Sequence, residues 1–314
     1  MSHAALQPAG PFAAHIAQVF WEFVAVAVVV YVVVAGFLVY ALRRRRALAS
    51  ADVSNPPSTH AALRAISIAV ALTTAILIGL ALSDFLAGRA LAAVPANALQ
   101  VRVTAHQWWW DIEYLDSNPS RRLRTANELV IPVDRPVTLQ LQSADVIHSF
   151  WVPSLQGKKD LLPGYTTTLN LRASRPGLYT GECAEFCGFQ HAHMSVDVEA
   201  RPRENFAQWL EAQLAPGAQP RTETQARGRE VFLKSTCVMC HAIAGTDAAA
   251  ALGPDLTHVG SRRRIAAGTL PNTPSNLAAW IADPQSIKPG TRMPPTVLTP
   301  VDATALVAYL ANLQ

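Results

Sequence analysis

Two long apolar runs near the start of the chain limit what it can fold into. Residues 19–42 read VFWEFVAVAVVVYVVVAGFLVYAL, in which Glu22 is the only charge, and residues 65–84 form a second apolar run. A helix rises about 1.5 Å per residue, so each run can cross a hydrocarbon core of about 30 Å. Only 15 % of the chain is charged, and soluble domains average about 25 %. We therefore predict a two-helix transmembrane hairpin. A cleaved signal peptide is disfavoured because no basic segment precedes the first run.

The residues between the two runs indicate the orientation of the hairpin. Arg43, Arg44, Arg45, Arg46 and Arg64 all fall in this short connection. Cytoplasmic loops are enriched in arginine and lysine, so the connection is predicted to be cytoplasmic. The N-terminus and everything after the second helix then lie in the periplasm, beside the inner membrane of a bacterium. The alternative is a hairpin buried in a soluble protein, which the arginine cluster argues against.

The rest of the chain is predicted to form a β-rich part and a helical part. Residues 128–143, ELVIPVDRPVTLQLQS, alternate apolar and polar side chains between turn prolines. Several such short strands predict a β-sandwich or barrel over residues 94–200. Residues 201–222 predict a helix and a linker, and residues 223–314 predict a helical domain. The hairpin and N-terminal tail occupy residues 1–93.

Charge gives little support for nucleic-acid binding. The formal net charge is only +4, and no long basic tract with interleaved aromatic residues is present. The short run Arg262-Arg263-Arg264 is predicted to be a solvated loop. A face for an acidic partner or for lipid head groups is the alternative.

The segment CVMCH predicts a c-type heme. Cys237 and Cys240 have the spacing at which two thiols attach to one porphyrin, and His241 follows as an iron ligand. A redox-active cysteine pair is the alternative, but it favours a βαβ setting that this region lacks. Met293, in the loop GTRMPP, is the predicted second axial ligand, a pairing that suits electron transfer. Met239, inside the attachment segment, is the weaker candidate.

The segment GECAEFCGFQHAHM, residues 181–194, predicts a copper site. Thiolate, imidazole and thioether ligands on a β scaffold favour copper over zinc, for which methionine is a poor ligand. A disulfide between Cys183 and Cys187 is a further alternative, but it leaves His191 and Met194 without a role. Two thiolates can bridge two copper ions, each of which then needs an imidazole. His148, in SADVIHSFWVP, is the preferred distant histidine.

At these residues the chain resembles subunit II of the cytochrome c oxidases, the heme–copper oxygen reductases, with a cytochrome c domain fused at its C-terminal end. The resemblance covers nearly the whole chain, from the two-helix hairpin onward, and the hairpin matches in topology only. The matching segments are four. They are HQWWWDIEY (106–114), DVIHSFWVPSLQGKKDLLPG (145–164), RPGLYTGECAEFCGFQHAHM (175–194) and CVMCH (237–241). The resemblance implies an all-β cupredoxin domain of Greek-key type, followed by an all-α class I cytochrome c domain.

The resemblance also implies a dinuclear copper centre, called CuA. Cys183 and Cys187 would bridge the two ions, and His148 and His191 would be the terminal imidazoles. Met194 and the backbone carbonyl of Glu185 would be weak ligands. The family spacing selects His191 and passes over His193, which we expect to be dispensable for the copper spectrum.

Three further implications concern protons, magnesium and electron input. In the family, the carboxylate at the position of Glu185 helps to hold a magnesium ion beside subunit I. Trp108 matches the tryptophan through which electrons reach the copper centre, although a core or membrane-interface aromatic is the plainer interpretation. Many members carry a glutamate at a proton channel near the start of the second membrane helix. THAALRAISIA (59–69) has none, so no residue is assigned that role.

The function implied by the resemblance is electron input to a proton-pumping respiratory oxidase. Heme c would accept electrons from an external donor, such as cytochrome c or a quinol:cytochrome c reductase, and CuA would pass them to a heme in subunit I. Subunits I and III and membrane lipid would be its partners. The alternatives are a subunit of a nitric oxide reductase, a membrane-tethered electron carrier, and a periplasmic copper-binding protein, which does not explain the heme motif.

Overall fold

The computed structural model describes residues 5–48, 59–92 and 96–314, which form two compact units. One unit contains the two long helices. The other contains the β-rich and helical parts together with the segment before residue 14.

The two long helices exceed the predicted apolar runs. Helix α1 spans Pro11–Leu48 and helix α2 spans Thr59–Ala92. Both are long and apolar enough to cross a membrane, judged by length and composition. The carboxylate of Glu22 accepts hydrogen bonds from Ser83 Oγ at 2.6 Å and from Gln18 Nε2 at 2.9 Å. The acid of the first run is therefore partnered by the second helix, as a charge at membrane depth requires.

Ten strands of the described residues form two five-stranded sheets. One sheet has the order β3-β2-β1-β5-β8 and the other β4-β10-β9-β6-β7, with parallel pairing only between β1 and β5 and between β4 and β10. The strands are β1 Leu99–His106, β2 Trp109–Tyr114, β3 Leu123–Ala126, β4 Glu128–Pro132, β5 Val137–Ser143, β6 His148–Trp151, β7 Lys159–Leu161, β8 Thr167–Leu171, β9 Gly177–Cys183 and β10 Ser195–Arg201.

Alternating side chains from both sheets fill one core. In β1, Val101, Val103 and Ala105 are fully buried while the residues between them are partly exposed. They meet Leu129 and Phe150 of the second sheet in the same cluster. This arrangement confirms the predicted β-sandwich, because period-two alternation buries one face of each sheet.

The segment before α1 packs on the sandwich. The N–H of Ala9 donates to the carbonyl of Ser154 at 2.7 Å, and the carbonyl of Ala9 accepts from the N–H of Ser174 at 2.8 Å. Ala9 is buried in the core of the sandwich. Helix α3, Arg203–Gln213, follows β10 and adds Phe206 to the same core.

The C-terminal part is helical, as predicted. Helices α4 Glu223–Lys234, α5 Pro274–Ala282, α6 Pro284–Ile287 and α7 Pro300–Asn312 surround a core that includes Phe232, Leu306 and Leu310. A two-residue pair, β11 Arg264–Ile265 and β12 Leu270–Pro271, lies before α5. Thr222 and Thr299 cap α4 and α7 by accepting backbone hydrogen bonds.

Helices α4 and α7 cross at Gly228. A methyl group there would collide with the carbonyl oxygen of Ala305 and lie 2.8 Å from Cβ of Tyr309. Only glycine permits this approach of the two helices, which bracket the helical domain.

We expect Gly228→Ala to destabilise the helical domain by about 1–3 kcal/mol, the usual cost of overpacking. Alanine gains about 0.5–1 kcal/mol in helix propensity, but a backbone carbonyl cannot yield as a flexible side chain would. Denaturant unfolding followed by circular dichroism measures the difference. Thr224→Ala, at an exposed position of the same helix, is the control and should change stability by less than about 0.5 kcal/mol. A Gly228→Ala chain as stable as the wild type contradicts this packing.

Candidate metal and heme centres

The predicted copper ligands come from two neighbouring strands and the loop between β9 and β10. His148 is the first residue of β6 and Cys183 is the last residue of β9. Strands β6 and β9 pair so that Phe150 lies opposite Cys183. The N–H of Cys183 donates to the carbonyl of Met194 at 2.9 Å, which closes the loop that carries the other ligands.

The ligand atoms converge on the sulfur atoms of the two cysteines. The Sγ atoms of Cys183 and Cys187 are 3.7 Å apart, and Nδ1 of His148 lies 3.8 Å from the sulfur of Cys183. The sulfur of Cys187 lies 3.6 Å from Nδ1 of His191 and 3.9 Å from Sδ of Met194. Ligands on one small ion lie about 3.3–3.8 Å apart when the bonds are about 2.0–2.3 Å. The spacing therefore fits a metal centre.

The two cysteines do not form a disulfide. Their sulfurs are 3.7 Å apart, against about 2.05 Å in a disulfide bond, and both thiols are free and buried. The contact between the two thiols lowers the pKa of Cys183 and raises the pKa of Cys187. One thiolate forms readily, and the second needs a cation to stabilise it.

Glu185 presents its backbone and its side chain differently. Its carbonyl oxygen lies 3.2 Å from the sulfur of Cys183, within the ligand cluster. Its carboxylate is 44 % exposed and lies 3.6 Å from Nζ of Lys158. The carbonyl is therefore placed for the copper site, whereas the carboxylate contacts solvent and a lysine.

Asp145 orients the imidazole of His148. Its Oδ1 lies 2.9 Å from Nε2 of His148. Burial alone would raise the pKa of Asp145, but hydrogen bonds from His148 and from the N–H groups of Gln107 and Val146 lower it to about 2. Because the ionised carboxylate only accepts, Nε2 carries the proton and the lone pair of Nδ1 faces the thiolates. Ligating histidines are commonly held in this way.

The heme attachment segment forms a short turn after α4. Residues Thr236–Met239 are a single turn of 3₁₀ helix, and the N–H of His241 donates to the carbonyl of Cys237 at 3.0 Å. Nδ1 of His241 lies 2.7 Å from the carbonyl oxygen of Pro254, so it carries the proton and Nε2 keeps its lone pair. Burial lowers the pKa of His241 and keeps it neutral. These features fit an iron ligand beside two thiols.

Met293 lies in the loop between α6 and α7. It is half-buried and packs against the helical core together with Cys237 and Val238. Gln285 Nε2 holds the loop by donating to the carbonyls of Thr291 at 2.8 Å and Met293 at 3.0 Å. Met239 is 66 % exposed. Between the two methionines, the geometry favours Met293 as the second axial ligand.

Comparisons with known proteins agree with both centres. A family model described as the periplasmic domain of cytochrome c oxidase subunit II matches residues 115–201, and a cytochrome c model matches residues 225–314. Cytochrome c oxidase subunit 2 of Alkalihalophilus pseudofirmus is 42 % identical over 69 % of this chain and 62 % of its own length. The protein of the same name from Bacillus sp. strain PS3 is 34 % identical over 69 % of this chain and 63 % of its own length.

Residues 115–201 therefore belong to the family of cytochrome c oxidase subunit II periplasmic domains, and residues 225–314 belong to the cytochrome c family. The chain spans about 62 % of the length of the first of these relatives. A solved structure, the periplasmic domain of subunit II of cytochrome oxidase from Bradyrhizobium japonicum, is 29 % identical over 38 % of this chain and 96 % of its own, with a TM-score of 0.36. The predicted cupredoxin domain and fused cytochrome c domain are both confirmed. They imply copper and heme c as cofactors.

Trp108 directly contacts the loop between β9 and β10, which we call the copper loop. Its indole Nε1 donates to the carbonyl oxygen of Cys187 at 3.0 Å, and Gln107 Nε2 donates to the same oxygen at 2.8 Å. Gly188, with φ of 110°, lies against the indole ring. Gly290 of the cytochrome c domain lies against the same ring, since a Cβ there would be 3.5 Å from Cη2. Trp108 is therefore buried between the copper loop and the loop that leads to Met293.

Only part of the arginine run is solvated as predicted. The side chain of Arg263 is 55 % exposed, whereas Arg264 is only 17 % exposed, and its guanidinium donates to both carboxylate oxygens of Asp197 on β10, at 2.8 and 2.7 Å. Arg262 is partly buried, and its guanidinium donates to the carbonyl of Asp255. Glu128 on β4 accepts from the N–H groups of Arg263 at 2.6 Å and Arg264 at 3.2 Å. The run binds the cytochrome c domain to the cupredoxin domain.

Sequence reasoning missed three side chains around the centres. Asp145 stands three residues before His148, a spacing that could have suggested it as the histidine's partner. Gln190 contacts two groups. Its Oε1 lies 2.7 Å from Nδ1 of His193, and its Nε2 donates to the carbonyl of Pro289 at 2.8 Å. Lys288 inserts between the domains. Neither Gln190 nor Lys288 was found from the sequence, because their contacts across the domains join residues that are 95 to 180 positions apart.

The two local histidines should respond differently to substitution. We expect His191→Ala to abolish the native copper spectrum, because its Nδ1 belongs to the ligand cluster. The matched variant His193→Ala should keep that spectrum, because the ring contacts Gln190 and not the sulfurs. Optical and EPR spectra of the copper-loaded chain measure both. Equal loss of the copper signal in the two variants would contradict this assignment.

Removal of the Asp145 carboxylate should weaken copper binding without removing a ligand. We expect Asp145→Ala to lower copper affinity by about 10–100-fold, the usual effect of deleting a histidine's partner. Competition titration with a copper chelator gives the affinity. Asp116→Ala, on a partly exposed loop of the same domain, is the control and should bind copper as the wild type does. Unchanged affinity in Asp145→Ala would show that His148 is oriented by other contacts.

Proposed function

We propose that this chain is the electron-input subunit of a proton-pumping cytochrome c oxidase. The observation that carries the proposal is the position of Trp108, whose ring contacts the cytochrome c domain and whose indole N–H donates to the copper ligand Cys187. A buried aromatic side chain thereby connects the two redox sites within one compact unit.

Two bound groups would supply the redox chemistry. A heme c and a CuA centre, held by the residues named below, would supply one-electron redox chemistry between an external donor and a heme in subunit I, where oxygen would be reduced to water. Cys237 and Cys240 would attach the heme, and His241 and Met293 would ligate its iron. Cys183 and Cys187 would bridge the coppers, with His148, His191, Met194 and the carbonyl of Glu185 as the remaining ligands.

The protein supplies a fixed frame for electron transfer. The ligands of the copper site are held by paired strands and by the hydrogen bond from the N–H of Cys183 to the carbonyl of Met194, so we expect their positions to change little between redox states. Trp108 is held by the carbonyl of Cys187, and Gln107 shares that acceptor. We propose this indole as the point at which electrons reach the copper site.

We further propose that the chain lies in a bacterial inner membrane with both globular domains in the periplasm. The two apolar helices and the described arginines Arg43–Arg46 support this orientation. Residues 49–58 of the predicted cytoplasmic connection lie outside the described residues.

Subunits I and III of the oxidase are the proposed partners in the membrane. Phe186 and Phe189, both on the copper loop, are highly exposed, which suits a surface that another protein covers. The carboxylate of Glu185 is accessible on the same loop. We propose that it helps to hold a magnesium ion with ligands from subunit I. The external donor, a cytochrome c or a quinol:cytochrome c reductase, would reach the cytochrome c domain.

The relatives favour an oxidase over the alternatives. The curated relatives are named as subunits of cytochrome c oxidase, and none of those cited is a nitric oxide reductase subunit. Their name also supports a subunit of a complex over a free membrane-tethered carrier.

The test is the oxidase complex with Cys187→Ser. A change outside the ligand set typically costs ~10–100-fold in activity. Loss of a bridging thiolate should reduce oxidase activity by more than this, while the donor should still reduce heme c at the wild-type rate. Oxygen uptake and stopped-flow heme absorbance measure the two steps. Full oxygen uptake in this variant would exclude the copper site from the electron route. If the wild-type complex reduces nitric oxide but not oxygen, the oxidase proposal is wrong and the chain is a nitric oxide reductase subunit.

A further inference from the structure

Lys288 is a buried cation at the contact between the two domains. It follows α6 in the cytochrome c domain and is only 2 % exposed. Its Nζ donates to three backbone carbonyls, those of Trp108 at 2.8 Å, His193 at 2.6 Å and Ala266 at 3.0 Å. An ammonium group has three N–H donors, so all of its hydrogen-bonding capacity is used.

The three carbonyls come from three separate segments. Trp108 belongs to the cupredoxin domain and precedes β2. His193 adjoins the copper ligand Met194, and Ala266 belongs to the turn between β11 and β12 in the cytochrome c domain. One side chain therefore ties the tryptophan, the copper loop and the heme domain together.

In the part of the chain that the structure describes, no carboxylate forms an ion pair with Lys288. Its burial is therefore costly. A buried ammonium loses its hydration, and carbonyl dipoles replace that loss only when their geometry is correct. Burial lowers the pKa of Lys288 to about 7. An apolar side chain could fill this space but could not bind the three carbonyls, so the lysine fixes the positions of the segments that carry them.

The residues after Lys288 place the heme loop on Trp108. The carbonyl of Pro289 accepts from Gln190 at 2.8 Å, and Gly290 lies against the indole. Met293, the proposed axial ligand, follows three residues later. The segment Lys288–Met293 thus begins at the buried ammonium of Lys288, passes against the ring of Trp108 and ends at Met293, the proposed iron ligand.

A second contact holds the same two domains without touching Trp108. The bidentate pair between Arg264 and Asp197 is 2.7–2.8 Å long and lies on β10 and β11. A substitution at Arg264 therefore tests the docking of the two domains without changing the contact with Trp108. It is the matched control for a substitution at Lys288.

We propose that Lys288 is a positioning residue for electron transfer from the heme c site to the copper site, because its ammonium holds the axial-methionine loop against Trp108. The proposal rests on the proposed electron route. In that step one electron leaves the reduced heme iron and reduces the copper pair, and no bond is made or broken.

The experiment compares Lys288→Met with Arg264→Met in the full chain loaded with both cofactors. Each heme is reduced by a short light pulse from a photoreductant, and the copper band is followed in time. We expect Lys288→Met to slow heme-to-copper transfer by about tenfold or more, since small misplacements of reacting groups can cost about 100-fold. EPR and optical spectra of both centres should stay as in the wild type. Arg264→Met should keep the rate within about twofold, because Lys288 still holds the loop on Trp108.

The outcomes separate the possibilities. If Lys288→Met transfers electrons at the wild-type rate with intact spectra, the proposal is overturned. If Arg264→Met loses as much rate as Lys288→Met, the proposal is also overturned, because the loss would then reflect only the docking of the two domains. If Lys288→Met does not load both cofactors, Gln190→Leu tests the same loop through Pro289, and an unchanged rate there overturns the proposal. Absence of heme-to-copper transfer in the wild type would instead contradict the proposed function.

Discussion

The hydrogen bond from the N–H of Cys183 to the carbonyl of Met194 is the contact on which the copper site depends. It closes the loop between β9 and β10, so that residues eleven positions apart in sequence lie side by side. Strand pairing then places His148 of β6 next to the same sulfur, with Phe150 opposite Cys183. The site is thus assembled by backbone pairing, which explains why short sequence spacing can encode a metal centre.

The contact between the domains is polar and specific. Arg264 pairs with Asp197, Glu128 accepts two backbone N–H groups, and Lys288 donates to three carbonyls. A buried charge that is partnered only in one arrangement disfavours every other arrangement, because an unpartnered ammonium would be left without hydration. Such contacts add little net stability but select one orientation. Of these three contacts, the one made by Lys288 reaches Trp108 itself, and it is the one that the proposed electron route requires.

The sequence predicted those features whose partners are near in the chain. The heme attachment segment and the run from Cys183 to Met194 each fit within fourteen residues, so spacing alone indicated their chemistry. His148 could be found because aromatic residues follow it in the sequence, although these residues continue strand β6. Asp145 lies three residues before His148, in the connection between β5 and β6. Lys288, Gln190 and the pairing of Arg264 depend on contacts between residues far apart, and a lone cation carries no signal of burial. For that reason the prediction of a solvated arginine run holds for Arg263 but is wrong for Arg264.

The central claim is that one chain carries a two-copper centre and a heme c in a single compact unit. Metal analysis and EPR of the purified full chain test it most directly. The account predicts two copper ions per covalently bound heme and a mixed-valence copper signal with seven hyperfine lines, as expected for one unpaired electron shared by two nuclei. A four-line signal from a single copper, or a heme-loaded chain that binds no copper, would contradict it.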